Sequence, residues 1–154
     1  WLAGAAVAAG AVLAGAWRWQ RRRAAGLSGR WSARFAGETV LVELQHDGER
    51  LRFESHPIDV RERPDWADYR AFWLRRERRP LDAVRYRGEG VARTPAGSPL
   101  EVDLSFKVLS VPGDVPVDGG GLSATLAADG RTLTGTRWLN SAQAETPVTL
   151  TRLD

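Results

Sequence analysis

Three groups of residues in this sequence have types and spacings that could do chemistry. His46 and His56 are the only histidines, and with carboxylate partners they could hold a metal ion. Glu101 and Asp103 lie two residues apart, on one face of a predicted strand, where two carboxyl groups could act as general acid and base. The glycine run 119–121 has the composition of a loop that could cradle a phosphate.

None of these groups extends into a catalytic or metal-binding motif. The spacing of the two histidines singles out no further ligand, and Glu101 and Asp103 fit the solvated face of an alternating strand. The glycine run lacks the Lys-Ser/Thr continuation of a phosphate loop, so it predicts a flexible loop. The sequence has no cysteine, which excludes disulfides and thiolate chemistry. We therefore expect a protein that is not an enzyme and has no cofactor or metal.

The basic charge is concentrated near the beginning of the sequence. The chain has 22 Lys and Arg against 19 Asp and Glu, and residues 1–30 hold five arginines and no acid. The sequence pI of about 10.1 reflects the use of arginine, since Lys107 is the one lysine. Nucleic-acid binding is not expected, because the clustered arginines adjoin an apolar stretch instead of covering a strand face with aromatic residues.

Residues 1–17 form an apolar stretch without a charged side chain. As a helix they would span about 25 Å, close to the thickness of a hydrocarbon core. The arginines that follow are typical of a stop-transfer flank, so residues 1–23 are predicted to be a single-pass transmembrane anchor. A secretory signal peptide is the alternative, but its basic residues would precede the apolar part. The residues expected at the membrane interface are Trp17, Arg18, Trp19, Arg21, Arg22 and Arg23.

The orientation and packing of this anchor follow from its residue types. The positive-inside rule places the arginines and the domain after them on the cytoplasmic side of a bacterial-type inner (plasma) membrane. Small residues four apart allow close approach of another membrane helix, although the general abundance of Ala and Gly is an alternative explanation. The residues expected to pack against a partner helix are Gly4, Ala8, Gly10, Ala11 and Gly15.

Residues 24–154 are predicted to form a soluble domain of mainly β structure. Apolar and polar residues alternate in many segments, and the Asp-Gly pairs at 47–48 and 129–130 indicate hairpin turns. Eight strands joined by short turns favour an up-and-down antiparallel barrel, with a β-sandwich as the alternative. The predicted strands are 29–36, 39–46, 49–56, 83–93, 99–109, 121–128, 132–140 and 146–153.

One helix, about residues 65–79, is predicted between the third and fourth strands. Asp65 is the expected N-cap, and arginines near the end of the helix suit its dipole. Its aromatic face could pack as a lid over one end of the barrel, or lie at a membrane or partner surface. The candidate surface or partner-docking residues are Trp66, Tyr69, Phe72, Trp73, Arg75 and Arg76.

Two features of the β-domain carry a resemblance to a known group. Gly29-Arg30-Trp31 opens the first strand, and Arg152, or alternatively Arg137, lies in a late strand. In this combination the domain resembles the calycins, the group of lipocalins, fatty-acid-binding proteins and avidins. The resemblance implies an eight-stranded barrel in which an arginine packs over the tryptophan and closes one end, here Trp31 and Arg152. It also implies an interior that could hold a small apolar ligand, although inward Leu, Val and Phe can equally fill it.

These observations lead to two functional hypotheses. The first is a non-catalytic accessory subunit whose β-domain docks on and stabilises a larger membrane complex, for example a respiratory or photosynthetic one. Its partners would be other membrane protein subunits and the lipid bilayer. The second is a membrane-tethered calycin-like barrel that binds a lipid or another small apolar ligand.

Overall fold

The computed structural model describes residues 26–35, 38–142 and 144–154. The predicted anchor, with its interface and helix-packing residues, lies outside these ranges. Within them, no helix has the length and apolar character needed to cross a bilayer.

The described chain forms a closed antiparallel barrel with one inserted helix. The strands are β1 (Gly29–Phe35), β2 (Glu38–Asp47), β3 (Arg50–Ser55), β4 (Ile58–Asp59), β5 (Ala83–Arg93), β6 (Glu101–Val111), β7 (Pro116–Leu126), β8 (Thr132–Leu139) and β9 (Thr146–Arg152). All except the two-residue β4 form a ring of eight strands, in which β3 pairs with β5 and β1 pairs with β9, while β4 pairs with the start of β5. The predicted eight-stranded barrel is therefore confirmed, and the sandwich alternative is excluded.

The alternation in the sequence decides which side chains enter the barrel. In β2, Val40, Val42 and Leu44 are buried, while the residues between them are exposed. Strand β6 repeats this pattern from Glu101 to Val108. Because successive side chains of a strand point to opposite faces, one apolar row from each strand meets inside the barrel. The burial of these rows, at roughly 25 cal/mol per Å² of apolar surface, is the main source of the domain's stability.

The inserted helix begins with a short 3₁₀ turn, Pro64–Trp66, and continues as α1 (Ala67–Glu77). The prediction that Asp65 caps this helix is wrong, because no side chain caps its first turn. The Asp65 carboxylate instead accepts a hydrogen bond from the guanidinium of Arg63 at 2.8 Å. The helix ends at Arg78, whose left-handed backbone (φ 58°) lets its N–H reach the carbonyl of Leu74.

The expectation of a flexible loop at residues 119–121 is wrong, since all three glycines lie inside β7. The indole of Trp138 lies against Gly121, and a Cβ added there would come within 2.0 Å of the ring. A Cβ on Gly120 would come within 2.0 Å of the carbonyl oxygen of Trp138. Glycine is required here by the close approach of cross-strand neighbours, which a sequence reading in terms of turns does not detect.

The two ends of the barrel differ in what covers them. The entry end is where β1 begins at Gly29, together with the turns 48–49, 94–100 and 127–131. The helix end carries α1 and the connections 112–115 and 140–145. Because the strands alternate in direction, Gly26 and α1 lie at opposite ends of the barrel.

Candidate functional site

At the entry end, Arg152 packs over Trp31, the two residues on which the resemblance to calycins was based. Trp31 is fully buried, and its indole N–H donates a hydrogen bond to the carbonyl of Leu27 at 2.9 Å. The guanidinium carbon of Arg152 lies 5.6 Å from the centroid of the Trp31 ring. The same guanidinium donates to the carbonyls of Gly26 and Ser28, each at 2.5 Å. The segment 26–28 is therefore held as a plug across this end.

His46 lies under this plug and belongs to the packing of the entry end. Its side chain is buried, and its backbone N–H donates to the Ser28 hydroxyl at 2.9 Å. Burial lowers the pKa of the imidazole, with Asp47 and the backbone of Gly48 acting in the opposite direction. The described residues contain no group of three or more His, Asp or Glu that could hold a metal ion. His56 is exposed, with its Nε2 atom 3.7 Å from the carboxylate of Glu43.

The barrel interior is filled by its own side chains. A void of about 30 Å³ remains among apolar residues, whereas pockets for small organic ligands measure roughly 300–1,000 Å³. Arg137, the alternative candidate for closing the barrel, lies beside this void and donates a hydrogen bond to the Tyr86 hydroxyl at 3.3 Å. Burial raises the pKa of Tyr86 to about 12. The interior therefore has room for a water-sized molecule.

The inner face of α1 covers the helix end. Trp66 and Trp73 are buried in the core, so these two predicted surface residues lie beneath the helix instead of on it. The hydroxyl of Tyr69 donates to the Asp118 carboxylate at 2.6 Å and contacts Ser141, which itself donates to Asp118 at 2.5 Å. Burial and Asp118 raise the pKa of Tyr69. These contacts fasten the helix to β7 and to the connection after β8.

The outer face of α1 leaves two large apolar side chains in solvent. Phe72 is 49% exposed and Leu74 is 52% exposed. The Arg76 guanidinium lies over the Phe72 ring at 5.8 Å and pairs with Glu77 at 2.6 Å. Arg75 lies between the two apolar residues on the helix surface. We define the α1 outer face as the exposed residues Ala71, Phe72, Leu74, Arg75 and Arg78. The sequence analysis did not identify Leu74 and Arg78 as candidate docking residues.

An open groove of about 960 Å³ runs along the outside of the barrel wall, across β2, β3, β5 and β6. Several of its charged side chains pair: Arg85 contacts Glu54 at 2.9 Å and, beside the groove, Asp114 at 2.5 Å. The hydrogen bond from Arg85 lowers the pKa of the Asp114 carboxyl. Lys107 also lines the groove.

The remaining carboxylate pair stays on the solvated face of its strand. Asp103 accepts a hydrogen bond from the Ser123 hydroxyl at 2.6 Å, across the β6–β7 pairing. Glu101 is exposed two residues away. Both carboxylates therefore lie on the outer face of β6.

Neither protein-family models nor curated proteins match this sequence.

Proposed function

We propose that this chain is a non-catalytic accessory protein of a membrane complex. The apolar stretch 1–17 and its basic flank anchor the chain in a bacterial-type inner membrane, with the β-domain on the cytoplasmic side. The barrel docks on a larger membrane protein assembly and stabilises it. Small residues along the anchor provide a second contact, with a helix of the same assembly.

The observation that carries this proposal is the α1 outer face. Phe72 and Leu74 are each about half exposed, although the same helix buries Trp73 and the 3₁₀ turn before it buries Trp66. Here the two apolar side chains flank the exposed Arg75, because residues two apart on a helix point to different sides of it. Exposed apolar side chains on one element are typical of protein interaction sites. Aromatic and arginine side chains are also the types that contribute most to binding at such sites.

The filled interior supports a surface function over a ligand-carrying one. A void of about 30 Å³ is an order of magnitude smaller than the site that a lipid chain or similar apolar ligand requires. The apolar-ligand hypothesis therefore receives no support from the described part of the chain. The side chains that can contact another molecule therefore lie on the outer surface of the barrel and of α1.

The test is purification of the full-length chain from its native membrane in a mild detergent, followed by native mass spectrometry. We expect a stable assembly with defined subunit masses, and we expect partner subunits to lose stability when the chain is deleted. Recovery as a free monomer, with partner subunits unaffected by the deletion, would contradict the proposal. A bound small molecule of constant mass would favour the ligand-binding alternative instead.

A further inference from the structure

We infer that the α1 outer face binds an acidic, partly apolar protein surface, at the end of the domain that points away from the membrane. This inference rests on the proposed function, since it uses the anchor at residues 1–23 as its reference point. It adds the orientation of the domain and the chemistry of the partner surface. The alternative occupant of such a face is the lipid headgroup layer.

The orientation follows from where the described chain begins. Gly26 is held at the entry end by Arg152, whose guanidinium donates to the Gly26 carbonyl at 2.5 Å. From Arg23 to Gly26 a chain can span at most about 10 Å. If the arginine cluster lies among lipid headgroups, the entry end of the barrel therefore lies close to the membrane surface.

The height of the barrel then separates α1 from the same membrane. Strands β5 and β6 have 11 residues each. At about 3.3 Å per residue and a tilt of about 40°, such strands give a barrel roughly 25 Å tall. A barrel standing on its entry end thus carries α1 beyond the headgroup layer, where the available surface is that of another protein.

The charge around α1 defines the chemistry of that surface. Residues 70–79 hold five arginines and one acid, Glu77. Arg70 donates at 2.6 Å to the backbone carbonyls of Val60 and Arg63, and Arg76 pairs with Glu77. The Arg79 guanidinium lies over the ring of the buried Trp73, 5.8 Å from its centroid. Arg75 and Arg78 are exposed and make no ion pair with any residue in the described ranges. Two cations beside two half-exposed apolar side chains are complementary to carboxylates next to apolar surface.

The distribution of apolar groups also favours a protein over a bilayer. A helix that lies in the headgroup region turns its most apolar side to the lipid. In α1 that side, with Trp73, packs into the barrel instead, as does Trp66 of the preceding 3₁₀ turn. The outer face places Arg75 between Phe72 and Leu74, so any surface that covers both apolar residues must also accept a guanidinium.

The experiment places a photoreactive benzoylphenylalanine at position 72 of the full-length chain in its native membrane. A matched probe at Leu41, which is 45% exposed on the barrel wall, serves as the control. We expect one defined protein adduct from position 72 and none of the same mass from position 41. Lipid adducts at position 72, or adducts common to both positions, would overturn the inference.

Charge reversal tests the acidic nature of the partner. We expect Arg75→Glu with Arg78→Glu to lower the yield of the position-72 adduct by at least about tenfold. The control pair, Arg52→Glu with Arg93→Glu, makes the same charge change at exposed residues away from α1 and should leave the yield unchanged. Equal yields from the two pairs would exclude an acidic partner surface.

The same preparation separates this inference from the proposed function. If the full-length chain still co-purifies with its assembly while position 72 gives no protein adduct, the accessory function stands and the α1 outer face is not its contact. If the wild-type chain is recovered alone, the accessory function itself fails.

Discussion

The entry end and the helix end of the barrel are both covered by aromatic side chains, but they differ in how much apolar surface they leave exposed. At the entry end, the plug 26–28 joins Trp31 and Arg152 through hydrogen bonds to backbone carbonyls. At the helix end, Trp66 of the 3₁₀ turn and Trp73 of α1 are buried, whereas Phe72 and Leu74 of α1 are half exposed. The entry end is thus completed by the chain itself, whereas the helix end leaves two apolar side chains half exposed, at the surface where we propose that a partner binds.

This difference separates residues that maintain the fold from residues that are available for binding. Substitutions at the entry end should lower the free energy of unfolding, because Trp31 and Arg152 contact each other and hydrogen-bond the backbone of segment 26–28. Substitutions on the α1 outer face should leave that free energy almost unchanged and affect association. Four predictions test this distinction.

Trp31→Ala should have the largest effect, a loss of about 3–5 kcal/mol in the free energy of unfolding. It removes a fully buried aromatic side chain and the ring that Arg152 covers. Urea denaturation followed by circular dichroism measures this loss. Trp138→Ala is the control, because Trp138 is 39% exposed, and it should cost much less. Equal losses for the two variants would mean that the packing of Trp31 at the entry end contributes no more to the free energy of unfolding than a half-exposed tryptophan does.

Arg152→Ala should lower the free energy of unfolding by about 2 kcal/mol, since it removes charge-assisted hydrogen bonds to the carbonyls of Gly26 and Ser28. Arg152→Lys should recover little of this loss, because a lysine cannot donate to both carbonyls with the geometry of a guanidinium. The same denaturation assay measures the free energy of unfolding of both variants. Full stability in the lysine variant would show that charge alone holds the plug.

The buried His46 should make stability depend on pH. Its pKa in the folded chain lies below the ordinary value of 6.5, so the unfolded chain takes up a proton first as the pH falls. The contribution of His46 is fully present above pH 6.5 and is lost as the pH falls toward the lowered folded-state pKa. Unfolding midpoints measured from pH 7.5 to pH 5 should therefore fall.

His46→Leu should remove most of this dependence, and it should have the flattest profile of the histidine variants. His56→Gln should keep the dependence of the wild type, because His56 is exposed on the barrel wall. If the His46→Leu and wild-type profiles have the same slope, protonation beneath the plug does not weaken the fold.

The double substitution Phe72→Ser with Leu74→Ser should have the smallest effect on stability, within about 1 kcal/mol of the wild type. Both side chains are about half exposed, so their removal gives up much less buried apolar surface than the loss of Trp31 does. Thermal unfolding of the purified chain measures the stability, and co-purification from the membrane measures the association. A marked loss of stability would place these residues in the fold instead of at an interface.

Local patterns predicted much of the barrel. Alternation from Glu101 to Val108 and the Asp-Gly turns predicted strands and their connections, because these signals depend on neighbouring residues alone. The spacing of Trp66, Tyr69 and Trp73 likewise predicted that they share a face of one helix. The strand at residues 116–126 was predicted to begin only at residue 121, because its glycines suggested a loop. The reason for these glycines, the close approach of Trp138, lies on another strand and leaves no local signal.

The sequence by itself therefore determined the strands, the helix and the uneven distribution of charge, since periodicity and composition act over short segments. The tertiary structure alone decided which side of α1 is buried, because that depends on the barrel end against which it packs. It also brought Tyr69 together with Asp118, which lies 49 residues later in the chain, and with Ser141, which lies 72 residues later. Closure of the barrel joins such distant strands, and no local pattern records which of their side chains will meet.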